Sequence, residues 1–265
     1  MKQLISALSC LCIIGLHACQ KDHTSSDPFH LKGISTTVNG GYGDASKSIN
    51  AGLAAYYPFT GNANDASGNG NNGTIIGASL SSDRSGKKNS ALAFNGLDNV
   101  VNIPNSPSLN PANVSISVWF KIEPADLNTS YCILQKASAD GQPINLSYSM
   151  FVYRTNTIIG TSGTGSCATI SGNQFVGLDN SMTVNGWNHF VETITSSGYV
   201  CMYINGVLNN TYQGLPYLPC SGSNTQIRLG KAWSGDPVWF KGKMDEVRIY
   251  NRILNQSEVS YLATH

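Results

Sequence analysis

From Gly52 onward, short apolar runs alternate with clusters of Gly, Asn, Ser and Asp. Val114-Ser-Ile-Ser-Val118-Trp119-Phe120 repeats with period two, as a strand with one buried face does. Comparable runs occupy Ala91 to Phe94, Val100 to Ile103, Ser149 to Tyr153, Trp187 to Thr195 and Tyr199 to Ile204. Asn205-Gly206 separates two such runs, and because both residue types tolerate positive φ the pair predicts a tight hairpin. Many short strands predict an all-β sandwich or barrel. One short helix is expected at the C-terminal end. Asn255 would cap it, Glu258 would close a capping box, and Leu254 and Val259 are spaced as a hydrophobic staple. The segment before Gly52 is different: Gln20 to about Asn50 is polar and without period, the pattern of a flexible tether.

The first residues carry a separate signal. Lys2 precedes an apolar stretch from Leu4 to Leu16, and Leu16-His17-Ala18-Cys19 supplies small residues before a cysteine. This layout is that of an export signal, and the stretch is shorter than a membrane-spanning helix of ~20 residues. It resembles the lipobox of bacterial lipoproteins, which implies a diacylglycerol anchor on Cys19, and Gln20 at the next position implies the outer membrane, on its periplasmic or outer side. His17 departs from that pattern, and an ordinary signal peptide with an incidental Cys19 is the alternative. The chain thus divides into a signal (1–18), a lipidated tether (19–50) and one domain (51–265).

Composition narrows the partners. Charged residues are 12% of the chain and the net charge is +1, so the basic face that nucleic acid requires is not expected. Neutral partners such as uncharged glycans suit this surface. Beyond the signal and Cys19, four cysteines remain, Cys132, Cys167, Cys201 and Cys220. An even number in an oxidising compartment predicts two disulfides. Three connectivities are open; Cys132–Cys167 with Cys201–Cys220 is favoured because each joins near neighbours.

An ordered set of landmarks carries a family likeness. Gly52-Leu-Ala-Ala-Tyr-Tyr-Pro-Phe59 and Gly61-Asn-Ala-Asn-Asp65-Ala-Ser67-Gly68 resemble the opening of laminin G-like jelly-roll domains of the concanavalin A-like superfamily. Ala91-Leu-Ala-Phe94-Asn-Gly96-Leu-Asp98, Ser115-Ile-Ser-Val-Trp119, Trp187-Asn-His189-Phe-Val191 and Met202-Tyr-Ile-Asn205-Gly206 follow in order. Phe240-Lys-Gly242-Lys-Met-Asp245-Glu246-Val-Arg248-Ile-Tyr250-Asn-Arg-Ile-Leu254 closes the set. The resemblance implies two antiparallel sheets in a jelly-roll sandwich, binding of carbohydrate or of a surface protein, and calcium. It points to Asp65, Asp98 and Asp245 as metal-associated positions. In Asp65-Ala-Ser67-Gly-Asn69-Gly70-Asn71 oxygens alternate as in a calcium loop, but Ile76 holds the twelfth position where an EF-hand needs Glu. A turn in which Asp65 accepts backbone amides fits the same residues.

The sandwich also carries glycoside hydrolases, whose acids lie on one strand as E-x-D-x-x-E. The sequence holds no such pattern: Glu192 has no acidic partner two or four positions on, and a regular strand would send Asp245 and Glu246 to opposite faces. The reading is therefore a non-catalytic glycan binder, with a protein-binding adhesion module as the alternative. Trp119 and Trp187 are assigned to the core, and His189 to a satisfied strand position. Trp233, in a loop with Asp236, and Trp239 are the ligand-binding candidates, because an indole face stacks on a sugar ring while Asp236 takes hydroxyls.

Overall fold

The computed structural model describes residues 45–123, 130–138, 146–153, 157–162, 174–178, 182–183, 185–214, 216–222, 225–232 and 238–265. The strands are β1 (Leu53–Tyr57), β2 (Thr74–Ile76), β3 (Ser79–Ser81), β4 (Ala91–Asn95), β5 (Val100–Pro104), β6 (Val114–Ile122), β7 (Tyr131–Ser138) and β8 (Leu146–Tyr153). They continue as β9 (Thr157–Ser162), β10 (Gln174–Leu178), β11 (Asn188–Ile194), β12 (Tyr199–Ile204), β13 (Val207–Gln213), β14 (Thr225–Leu229) and β15 (Lys241–Tyr250). Two short helices flank them, α1 (Ala45–Ser48) and α2 (Gln256–Leu262).

The strands form two antiparallel sheets. Sheet one runs β13-β12-β11-β6-β15-β4-β3, with β1 also on β15, and sheet two runs β10-β9-β8-β7-β14-β5-β2. β15 is long enough to pair β4 with its first half and β1 with its second along one edge. Alternation along each strand sends one set of side chains between the sheets. Val114, Ile116, Val118 and Phe120 of β6 meet Ile227 and Leu229 of β14 and Tyr148 and Met150 of β8 in a single core. The jelly-roll sandwich expected from the landmarks is the fold observed.

The middle of sheet one is buried on both faces. α2 covers its outer side, where Leu254, Val259 and Leu262 pack on Val191, Tyr203 and Tyr250. The helix thus lies on a sheet face, not against the sandwich edge. Asn255 accepts from the Glu258 amide while Glu258 accepts from the Asn255 amide, so the capping box forms as the sequence predicts. β6 meets this second layer with serines: Ser115 Oγ donates to the Arg252 carbonyl and accepts from the Leu254 amide. Its serines are therefore seats for the covering layer, not solvent-facing positions.

The Asn205-Gly206 hairpin forms, with φ of 50° and 85°. Packing against the sandwich extends ahead of residue 51. Ala45–Ser48 form a helical turn, Ile49 packs beside α2, and Arg252 donates to the Ser48 carbonyl. These residues rest on the second layer of sheet one and are tied to it by side chains from the far end of the chain.

The expected Cys132–Cys167 bond does not form. Cys132 is a free thiol, wholly buried on the outer side of β7, where burial raises its pKa. Its neighbours Tyr131 and Ile133 point into the core, so alternation turns Cys132 away from it. Cys201 and Cys220 are disulfide-bonded, and Cys167 lies outside the described residues.

Candidate functional site

The two outer faces differ in what they offer. On sheet one three arginines are each held by a carboxylate. Arg84 pairs with Asp245 at 2.6 Å and stacks over Trp119, whose indole N–H donates to the Leu262 carbonyl. Arg248 pairs with Glu246, and Tyr56 donates its hydroxyl to the same carboxylate. Arg252 holds Glu258 at 2.8 Å. Asp245 and Glu246 are thus both on the outer side, contrary to the expectation for adjacent strand residues. A bulge between Asp245 and Arg248, with Glu246 at φ 54°, resets the alternation. Burial and the Glu246 carboxylate push the Asp245 pKa up to about 7, against the pull of Arg84. Both acids are thereby committed to ion pairs.

His189 is buried next to Trp119, with Nε2 2.8 Å from Ser117 Oγ and no partner at Nδ1. Burial drops its pKa to about 3. Only half of the ring is satisfied, and Ser117 and His189 are too deeply enclosed to meet a substrate.

Asp65 works as an organiser of its loop. One carboxylate oxygen accepts from the Tyr56 and Ser67 amides and the other from the Asn71 amide. Asp98 accepts from the Asn95 and Asn99 side chains. Among the described residues no three His, Cys, Asp or Glu side chains gather where they could hold a metal ion. Asp65, Asp98 and Asp245 are not brought together, and what surrounds Asp65 is N–H donors. Calcium needs oxygens, so this donor set fits the turn reading and not a calcium cage.

Sheet two presents a different outer face. Thr74, Asn102, Arg228, Gln135 and Ser149 stand directly opposite one another on β2, β5, β14, β7 and β8. Each alternates with core residues: Ile75, Val101 and Ile103, Ile227 and Leu229, Leu134, and Tyr148 and Met150. The five therefore form one polar row on the outer side. It grades from exposed Thr74 through half-buried Asn102 and Arg228 to buried Gln135 and Ser149. Asn102 Oδ1 is buried with no hydrogen-bond partner. Such an orphan acceptor is costly unless something donates to it.

The rim above this row carries the aromatic candidate. After β14 the chain turns at Gly230, and Lys231 forms an isolated bridge with Trp239. Phe240 enters the core, which leaves half-buried Trp239 on the other side. Lys231 Nζ lies 4.3 Å from the Trp239 ring centroid. Burial, and then the charge of Arg228, lower the Lys231 pKa. Trp239 is thus paired with Lys231, three residues beyond Arg228 along the chain. Trp233 and Asp236 lie outside the described residues, as does Cys19. Asn102, Gln135, Arg228 and Lys231 escape a motif search, since no spacing links them; only strand register does.

Comparison with known proteins matches this picture. No curated protein matches the chain in sequence. Domain 4 of AbnA, an extracellular arabinanase from Geobacillus stearothermophilus solved with arabinotriose, is 26% identical, with a TM-score of 0.62 over 80% of this chain and 98% of that one. The botulinum neurotoxin serotype G binding domain is 19% identical, with a TM-score of 0.63 over 80% of this chain and 50% of that one. The serotype D ligand binding domain, solved with N-acetylneuraminic acid, is 17% identical, with a TM-score of 0.63 over 83% and 52%. The chain therefore spans about half of those toxin domains, and at that identity the likeness is one of fold. The family model for concanavalin A-like lectins and glucanases matches residues 94–260, and the chain belongs to that superfamily.

Proposed function

We propose that this protein is a non-catalytic glycan-binding module, taking its ligand on the outer face of sheet two. The observation that carries the reading is the pair Asn102 and Arg228, directly opposite one another in register and both half-buried, flanked at the rim by Trp239. A planar amide and a guanidinium suit sugar hydroxyls, which both donate and accept. An indole suits the apolar face of the ring. The arabinotriose bound by the similar arabinanase domain supports the ligand class. Export and a lipid anchor at Cys19, in the outer membrane, would place such a module where polysaccharide is met.

The mature chain screened on a glycan array that includes arabinotriose is expected to bind, and Trp239→Ala and Asn102→Ala are expected each to weaken binding about tenfold, the cost of roughly 1.4 kcal/mol. Retention by both variants would remove the site from this face. No binding by a folded parent would remove the glycan reading. The anchor is tested separately. Cys19→Ser is expected to abolish incorporation of labelled palmitate in a bacterial host and to release the protein from membranes; unchanged labelling would refute it.

A further inference from the structure

The geometry points to an intramolecular amide cross-link between Lys136 and Asn110, a covalent modification that the chain makes on itself. Lys136 lies in β7, the middle strand of sheet two, opposite Tyr148 of β8 and Ile227 of β14. It is wholly buried. Its Nζ lies 5.8 Å from the Tyr148 ring centroid and donates to the Leu109 carbonyl and to Asn110 Oδ1. These partners are all neutral, and no carboxylate among the described residues pairs with the lysine. An ammonium enclosed without a counter-charge is costly. Burial lowers its pKa to about 7, so the neutral amine, which is the nucleophile, is abundant near neutrality.

Asn110 presents the electrophile. It follows the turn Pro107–Leu109; its backbone N–H donates to the Pro107 carbonyl, and its side-chain Nδ2 donates to the Ser106 carbonyl at 2.8 Å. The amide is thereby held with Oδ1 on Lys136 and Nδ2 on Ser106. Cγ is bonded to Oδ1, so a nitrogen touching that oxygen stands near the ~3–3.5 Å from which attack proceeds. The step forms the Nζ–Cγ bond and breaks the Cγ–Nδ2 bond. One proton passes from Nζ to Nδ2, which departs as ammonia. Asn110 is half-buried, which gives the ammonia a way out. Neither oxidant nor water is consumed. With no acid beside the pair, proximity drives the step and the link matures slowly; effective concentrations of well-held groups reach about 10⁵ M or more. The product replaces an enclosed cation with a neutral amide. It also ties β7 of sheet two to the turn that leads into β6 of sheet one, across a separation of 26 residues.

The test is made on the mature chain, freshly purified and after prolonged incubation at neutral pH. Each sample is reduced, digested with trypsin and sequenced by mass spectrometry. A branched peptide joining Asn110 to Lys136 is expected, lighter by one ammonia than its two arms together and increasing with time. In that fraction trypsin no longer cuts after Lys136. The branch is expected to vanish in Asn110→Ala and in Lys136→Met. Asn110→Ala keeps the buried lysine and alters a half-buried side chain, so it remains informative if Lys136→Met fails to fold; thermal melts establish which variants are folded. Recovery of Asn110 and Lys136 only in separate peptides, after incubation of the folded parent, overturns the proposal. A branch at Lys136 that persists in Asn110→Ala overturns it too.

Discussion

Gly242→Ala is expected to be the most destabilising single-methyl substitution in the sandwich, costing about 3 kcal/mol or more. Gly242 sits in β15 at φ +148°, a conformation that side-chain-bearing residues avoid. It pairs on one side with Ile122 of β6 and on the other with Phe94 of β4, so the strand cannot move away from either neighbour without breaking a ladder. A Cβ there would stand 2.1 Å from the Lys121 carbonyl oxygen and 3.0 Å from the Ile122 Cα, both backbone atoms. Backbone strain and a steric overlap that no rotamer relieves therefore act together. For a domain of this size the melting temperature should fall by about 6–12 °C, at roughly 2–4 °C per kcal/mol. Gly70→Ala is the control, since Gly70 shares a positive φ of 76° but has open space around its missing Cβ. It should cost only about 1 kcal/mol, the conformational part alone. If the two variants melt together, the overlap at Gly242 is not what fixes glycine there.

That glycine shows where the sequence is legible. Its landmark position predicts the closing strand, but the reason for it lies in two neighbouring strands far away in the chain. β6 announces itself by its alternation of apolar and polar side chains, whereas β11 and β12 are buried along nearly their whole length. The hairpin at Asn205-Gly206 and the capping box at Asn255 are equally plain, because their chemistry is contained within a few residues. β7 is harder to read. Its Tyr-Cys-Ile-Leu-Gln-Lys-Ala-Ser run has two bulges, and Lys136 inside it is buried with its ammonium donating to the Leu109 carbonyl and Asn110 Oδ1. A buried lysine satisfied by a distant turn leaves no local pattern.

The candidate site is less legible for the same reason. Trp239 could be found as an aromatic in a turn-rich segment, yet Asn102, Gln135 and Arg228 come from three strands and are united only by register. The bulge at Asp245 hides the opposite way: sequence alternation separates the two acids, and one residue of left-handed backbone puts them side by side.

Glu192→Gln is expected to make the folded chain progressively more stable relative to the parent as pH rises. Glu192 lies in β11 between Phe190 and Ile194, both core residues, so alternation carries its side chain into the core. Its strand neighbours in register are Ile116 and Met202, also core. Neither carboxylate oxygen has a hydrogen-bond partner, and the hydroxyls of Tyr148 and Tyr217 are in the same position. Burial alone raises its pKa well above 4.5. An acid whose folded pKa is raised contributes its full stabilisation below the unfolded value. That contribution is lost as pH climbs through the folded pKa, at about 1.4 kcal/mol per pH unit between the two.

Other groups slope differently, which is why the comparison must be with the variant. Asp245, raised to about 7, acts in the same sense as Glu192. His189, lowered to about 3, gains stability with pH between there and its unfolded value of 6.5. Lys136, lowered to about 7, does so above neutrality. All three are common to parent and variant and cancel in the difference. The amide has nearly the shape of the protonated acid, and both leave a polar group in the core. The two chains should therefore unfold at similar urea concentrations near pH 4.5, then separate as pH rises above it, with the amide variant ahead. Parallel curves across that range would mean that water or a donor reaches the carboxylate, and that the acid is as comfortable charged in the fold as out of it.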